Sequence, residues 1–268
     1  MNLNIIDGKT HRVNDELKYD IHRLEDHPII VIDDVLENPH DFISEVVEKI
    51  PMQYNELGKG DPDEVFPGYQ SNVHLDLAEL SKLTGHMIQR CTDFQNIDPD
   101  AVKLLYQVNA MYSDRKVPRI SIQPHIDPAI YATVLYLNEE GEGGTSFFTH
   151  SATGLTNTEN IYKPFKRTQE YWNLKEWIYD FSNKATDLID NDTTLIEEVW
   201  EEQHHVQMKF NRMIIYPSFM WHSAIMKNGW YKDDPRISLS GFVFAPSLNV
   251  DVNACLLYTS DAADDLLC

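Results

Sequence analysis

Cysteine is scarce in this 268-residue chain, with only Cys91, Cys255 and Cys268. No two of them are spaced as a CxxC clip, so neither a disulfide framework nor a cysteine-built metal site is expected. Basic residues are also few: 22 Lys and Arg stand against 43 Asp and Glu, a formal charge of −21. Nucleic-acid affinity comes from neutralising phosphates with Lys and Arg, and anionic lipid asks for the same, so neither partner is expected. No apolar run of about 18 residues is present to span a membrane. The N-terminal MNLNIIDGKT lacks the charged-then-apolar layout of a secretory leader. With 42% hydrophobic and 24% charged residues, the expectation is a soluble, acidic, cytoplasmic protein able to bury a sizeable core.

The pattern changes after Phe244-Ala245-Pro246, and the chain ends CLLYTSDAADDLLC. From Cys255 to about Asp264 this text resembles the translation of a transposase adapter used in sequencing libraries. Residues 255–264 are therefore read as an artefact, and 248–268 are set aside as a tail. One domain is expected over 1–247. Its first half predicts a buried strand at Pro28–Asp33 and an amphipathic helix at 39–50, entered through Asn38-Pro39 and stopped by Pro51. The Gly- and Pro-rich stretch 51–72 reads as loop. Leu75, Leu77, Leu80, Leu83, Met87 and Ile88 predict a second helix.

From about 103 to 244 the period switches to two. Strands are expected at 102–112, 131–138, 145–148, 204–210, 213–217, 221–225 and 236–244, with turns at Asn138–Gly144 and Asn211-Arg212. Residues 150–202 interrupt this pattern with helices expected around 167–183 and 193–200. The whole reads as an α+β protein whose core is an antiparallel sandwich or jelly roll.

Three features carry chemistry. In His125-Ile126-Asp127 an imidazole and a carboxylate two apart on extended chain face one way and can reach one metal ion. Alone, such a pair is commonly incidental. His222 lies 95 positions after Asp127 in the apolar context IIYPSFMWHSA, where a histidine is ordinarily a core or rim residue. Arg236-Ile237-Ser238 opens the last strand 14 positions later. An arginine aimed into a sandwich core needs an anion to offset its desolvation, and its planar fork matches a carboxylate. Two imidazoles with one carboxylate form the facial set expected for non-haem Fe(II), with open positions for oxidant and co-substrate.

With its supporting text in order, HID, TVLYLN, GGTSFF, NRMIIYPSFMWHS and RISLS, the chain resembles the Fe(II)/2-oxoglutarate-dependent oxygenases over roughly 103–244. Within them it is similar to the prolyl 4-hydroxylase-like branch. The resemblance implies a double-stranded β-helix (jelly roll) with N-terminal helices packed on it and a helical insertion at about 150–202. It implies that His125, Asp127 and His222 hold Fe(II), and that Arg236 and Ser238 hold the distal carboxylate of 2-oxoglutarate. Because the last strand reads R-I-S-L-S, Ser240 competes with Ser238 for that role. Tyr136 matches a tyrosine that hydrogen-bonds the same carboxylate, and Tyr112 matches a second cofactor-side tyrosine; core packing is the other reading of both. The implied activity is O2-dependent hydroxylation of a small molecule or peptide side chain, releasing succinate and CO2. Asp127 favours oxygenation over halogenation, since related halogenating enzymes lack that carboxylate.

Two other classes fit parts of this pattern: a catalytically silent jelly-roll binding module, and a cupin-like metalloenzyme that does not use 2-oxoglutarate. No metal role is expected of His204-His205, adjacent on a strand, while His150 is a candidate lining residue. Cys91 reads as a small buried residue of the second helix. The aromatic-rich insertion, with Trp172, Trp177 and Trp200, could cover the barrel mouth or simply shield the sheet.

Overall fold

The computed structural model describes residues 5–7, 11–54, 66–92, 97–127, 129–158, 162–163, 166–167, 187–197 and 199–244. The tail from 245 onward, with its adapter-like text, lies outside them. Three strands open the chain: β1 (Ile5–Asp7), β2 (Lys18–Leu24) and β3 (His27–Asp33). Pro28 through Ile32 are all buried, as a strand covered on both faces requires. β2, mostly exposed at the sheet edge, carries no apolar signal in the sequence.

Pro39 opens a helix as expected, but α1 (Pro39–Glu45) is short, and a 3-10 turn at Val47–Lys49 takes over before Pro51. The stretch read as loop has strands at its ends, β4 (Met52–Tyr54) and β5 (Gly68–Ser71). They pair with each other, and β5 also pairs with a distant strand, so the deciding interaction is tertiary. The helix read from Leu75 begins later. Leu75 lies in β6 (His74–Asp76), and α2 (Ala78–Cys91) follows, burying Leu80, Met87, Ile88 and Cys91.

The β-rich half continues with β7 (Leu105–Met111), β8 (Lys116–Pro118), β9 (Tyr131–Tyr136) and β10 (Gly144–His150). In the insertion, β11 (Tyr162–Lys163) and β12 (Lys166–Arg167) form a short hairpin, and β13 (Leu188–Asp190) pairs with β8. The helix read at 167–183 lies outside the described residues except for Arg167, which is in β12. The one read at 193–200 is corrected to a single 3-10 turn at Thr193–Ile196, after which Trp200 opens β14 (Trp200–Gln207). Asp192 caps that turn by accepting from the Thr194 N–H at 3.0 Å, and pairing with β10 draws Trp200 into the sheet. Next come β15 (Met213–Pro217), β16 (His222–Ile225) and β17 (Arg236–Val243).

The large sheet runs β1-β6-β7-β17-β9-β15-β3-β2, with β5 also on β7; a smaller sheet runs β14-β10-β16. Among the described residues the fold is thus mostly antiparallel sheet with few helices, compatible with a jelly roll. No helix there is long and apolar enough to cross a membrane.

Alternation along β15 explains why its sequence is apolar throughout. Met213 and Ile215 join Ile30, Ile32, Leu239, Phe42 and Ile88 on the helix-covered face. Ile214 and Tyr216 point the other way, toward Phe147 and Val206 of the smaller sheet. Asn211 makes the turn before β15 with φ +59°, and its carboxamide accepts from the Leu36 N–H and donates to the Leu36 carbonyl, both at 2.9 Å. Beside it, Arg212 grips Asp33 through Nε at 2.6 Å and a second nitrogen at 3.1 Å.

Candidate metal centre

The site is assembled by backbone pairing. His125 and His222, far apart in sequence, exchange two backbone hydrogen bonds of 2.9 and 3.0 Å in an isolated antiparallel bridge. The Asp127 N–H donates to the Ser218 carbonyl at 3.0 Å, which holds the carboxylate beside the same strand end. Nε2 of His222 stands 3.1 Å from one Asp127 oxygen, and Nε2 of His125 stands 4.0 Å from the other. One donor atom from each of His125, Asp127 and His222 lies within 4.8 Å of the others.

Both imidazoles are oriented by the backbone two residues before them. Nδ1 of His222 is 2.8 Å from the Met220 carbonyl, and Nδ1 of His125 is 3.3 Å from the Gln123 carbonyl. A carbonyl only accepts, so each Nδ1 carries the proton and each Nε2 keeps its lone pair, the tautomer a metal ligand needs. The Gln123 side chain is itself held by Trp200 Nε1 at 2.9 Å. Two donors bonded at about 2.0–2.2 Å to one ion can be no more than about 4.4 Å apart, so the cluster, within 4.8 Å, would close slightly on a divalent ion.

His222 is buried, Asp127 nearly so, and His125 keeps 46% of its side-chain surface open. His125 lines a cleft inside the protein, so it is both reachable and poorly hydrated: burial lowers its pKa first, then the neighbouring His222, against Asp127 and the Gln123 carbonyl. Burial alone would raise the Asp127 carboxyl, but the adjacent His222, 3.1 Å away, and His125 outweigh it and hold the pKa below the ordinary value.

The cleft, about 220 Å³, is lined by the triad and by Arg236, Ser238, Ser240 and Phe242, the four residues of one face of β17. Arg236 is 2% exposed. It donates to the Gly144 carbonyl at 3.1 Å and meets the Met111 sulfur at 3.8 Å, while its Nε has no partner. Burial lowers its pKa, opposed by Tyr136, Tyr231 and Tyr216, yet a guanidinium stays charged in proteins. No carboxylate among the described residues answers that charge. Gly144, at φ +148°, allows its carbonyl to reach Arg236, and a Cβ there would run into the Val206 carbonyl oxygen.

The Ser238 hydroxyl has no hydrogen-bond partner among the described residues, whereas that of Ser240 accepts from Asn109 Nδ2 at 2.8 Å. Tyr136 is fully buried behind the cleft wall, donating to Thr145 Oγ1 at 2.8 Å with Arg236 5.4 Å from its ring centre. Tyr112 is not brought to the cleft. Met111 lines it, and the next residue points away, so the Tyr112 ring packs on Tyr69 and under Arg115, 4.6 Å from its centroid.

His150 is buried against Trp200 and meets Thr153 rather than the cleft. His204 and His205 point apart, one toward His22 and the other to Ser146. Sequence reading passed over much of the cleft lining, and two of its polar side chains stand out. Asn191, 0% exposed, donates to the Tyr112 carbonyl at 2.8 Å and leaves its Oδ1 unpartnered. Tyr216 is 2% exposed, and burial, then the charge of Asp127, raises its pKa well above the ordinary value, so its phenol is a neutral donor. Tyr216 shares its strand face with Ile214, the alternation that could have marked it. Asn191 sits in the insertion, where no periodicity points to it.

Residues 15–242 match the family described as "Family of unknown function (DUF6445)". No curated protein matches the chain. Among solved structures it is similar to the crystal structure of HygX from Streptomyces hygroscopicus with nickel and 2-oxoglutarate bound. The identity is 11% and the TM-score 0.34, over 82% of this chain and 84% of that one. A likeness of that grade decides neither fold nor activity, and the site stands on its own geometry.

Proposed function

The chain belongs to the DUF6445 family, whose function is unknown, and from that premise we propose that it is a non-haem Fe(II)- and 2-oxoglutarate-dependent dioxygenase of the prolyl 4-hydroxylase-like kind. One observation carries the reading. A buried guanidinium without a counter-anion among the described residues opens on the same cleft as a His-Asp-His cluster whose two Nε2 atoms can bind metal. Stacking β7-β17-β9-β15 against β14-β10-β16, with His125 bridged to β16, supports a double-stranded β-helix, and a single domain over 1–247.

In this reading His125, Asp127 and His222 hold the metal, while Arg236 and Ser238 bind the far carboxylate of the co-substrate. Tyr136 fixes the guanidinium and Thr145 from behind. Bound together, Fe(II) and 2-oxoglutarate supply O2 activation coupled to oxidative decarboxylation. The chain orients the acid, keeps water out of a largely buried cleft and leaves room for only part of a substrate. At about 220 Å³ the space is below the roughly 300–1,000 Å³ of drug-sized pockets, which suits a small molecule or one peptide side chain.

The test is anaerobic addition of Fe(II) and 2-oxoglutarate, then O2. A visible charge-transfer band followed by succinate release is expected. Metal-loaded protein giving neither would leave a silent jelly-roll binding module. Turnover of a substrate without 2-oxoglutarate, surviving Arg236→Ala, would point instead to a cupin-like metalloenzyme.

A further inference from the structure

We infer that Tyr216 is a co-substrate-binding residue, its phenol donating a hydrogen bond to the oxo-acid end of 2-oxoglutarate between the triad and Arg236. The inference rests on the reading above. Packing alone sets the direction of this side chain. Its ring meets the His222 ring edge-on at 4.8 Å and Phe147 at 5.1 Å, and its backbone is paired with Ala132 of β9. The hydroxyl has no hydrogen-bond partner among the described residues, and the residue lines the cleft. A phenol whose ring is buried while its hydroxyl opens on a cleft ordinarily finds a partner in what fills that cleft.

What surrounds the hydroxyl indicates the missing partner. The Tyr216 ring lies against His222 of the triad, and the residue shares the cleft with Asp127 and Arg236. An acid spanning from a metal in the triad to the guanidinium would therefore pass the phenol, and would meet it nearer the triad. Asp127 cannot be that partner in the geometry described, since its contacts run to the two imidazoles. Arg236 and Ser238, which also line the cleft, lie on β17. Tyr216, on β15, supplies a donor beside the triad.

The test is Tyr216→Phe, which keeps the ring and its contacts and removes only the oxygen. Anaerobic titration of the Fe(II) protein with 2-oxoglutarate, followed by the charge-transfer band, should show affinity weakened by roughly 10-fold or more and a displaced band maximum. Fe(II) affinity, read by competition with Co(II), should stay within about twofold, since the edge-on contact with His222 is intact. Unchanged 2-oxoglutarate affinity and band position in the variant would overturn the inference and reduce Tyr216 to packing. Loss of metal affinity in Tyr216→Phe would likewise overturn it, marking a support for His222. Wild-type protein that binds metal but shows no 2-oxoglutarate response would instead bring down the proposed function itself.

Discussion

Replacing Arg236 with methionine should move stability and ligand binding in opposite directions. The guanidinium is 2% exposed, with one hydrogen bond to Gly144 at 3.1 Å, an aromatic neighbour at 5.4 Å and an unpaired Nε. Burying an uncompensated charge costs several kcal/mol. Against this stand about 1.5–3 kcal/mol for the charged hydrogen bond and about 0.5–2 kcal/mol for the Tyr136 contact. Methionine fills similar volume without the charge, so the ligand-free variant should be between equal to wild type and about 2 kcal/mol more stable. At roughly 2–4 °C per kcal/mol, that raises Tm by at most about 8 °C.

The ligand response should be the reverse. Saturation at about 100 times Kd adds about 2.7 kcal/mol to wild type, roughly 5–11 °C. Arg236→Met should lose nearly all of it. Differential scanning fluorimetry of the Co(II)-loaded protein, with and without 2-oxoglutarate, measures both effects. A variant destabilised by more than about 3 kcal/mol, or one with an undiminished 2-oxoglutarate shift, would show that Arg236 is a structural cation and not an anion receptor.

Asp127→Ala should weaken Co(II) binding by more than the roughly 10–100-fold typical of outer-shell losses, with an unchanged far-UV circular dichroism spectrum; equal Co(II) affinity would remove Asp127 from the metal set. Gly144→Ala should cost about 2–4 kcal/mol in urea unfolding, because φ +148° and the Val206 carbonyl both exclude a Cβ. The pKa of Asp33 is lowered first by the Arg212 hydrogen bond, against burial and with help from Lys209. Its contribution is therefore present above the unfolded carboxyl value of about 3.9 and disappears as pH falls through the lower folded value. Asp33→Asn should lie below wild type in urea midpoint near neutrality and converge with it in acid; parallel curves would deny the pair any net role.

The periodic parts of this chain announce themselves. β3, β7, β9, β15 and β17 follow from apolar runs and alternation, since a strand's side chains answer to local pleat geometry. So does the coincidence of Arg236, Ser238 and Ser240 on one face, a matter of counting by twos. Elements decided by a distant partner do not show. β4 and β5 lie in Gly- and Pro-rich text and exist through pairing with β7, while Trp200 is a strand residue because β10 lies beside it.

By itself, then, the amino-acid order determined the β-rich core, the spacing of His125 and Asp127, and a strongly acidic composition. Only the tertiary structure decided that His222 comes to His125 through a two-bond bridge, and that Arg236 is buried with no anion beside it among the described residues. It also decided that Tyr112 turns toward Arg115 while Tyr216 opens on the cleft. The reason is physical: period and composition state which side chains share a face, but which face meets which is settled by pairings between strands about a hundred residues apart.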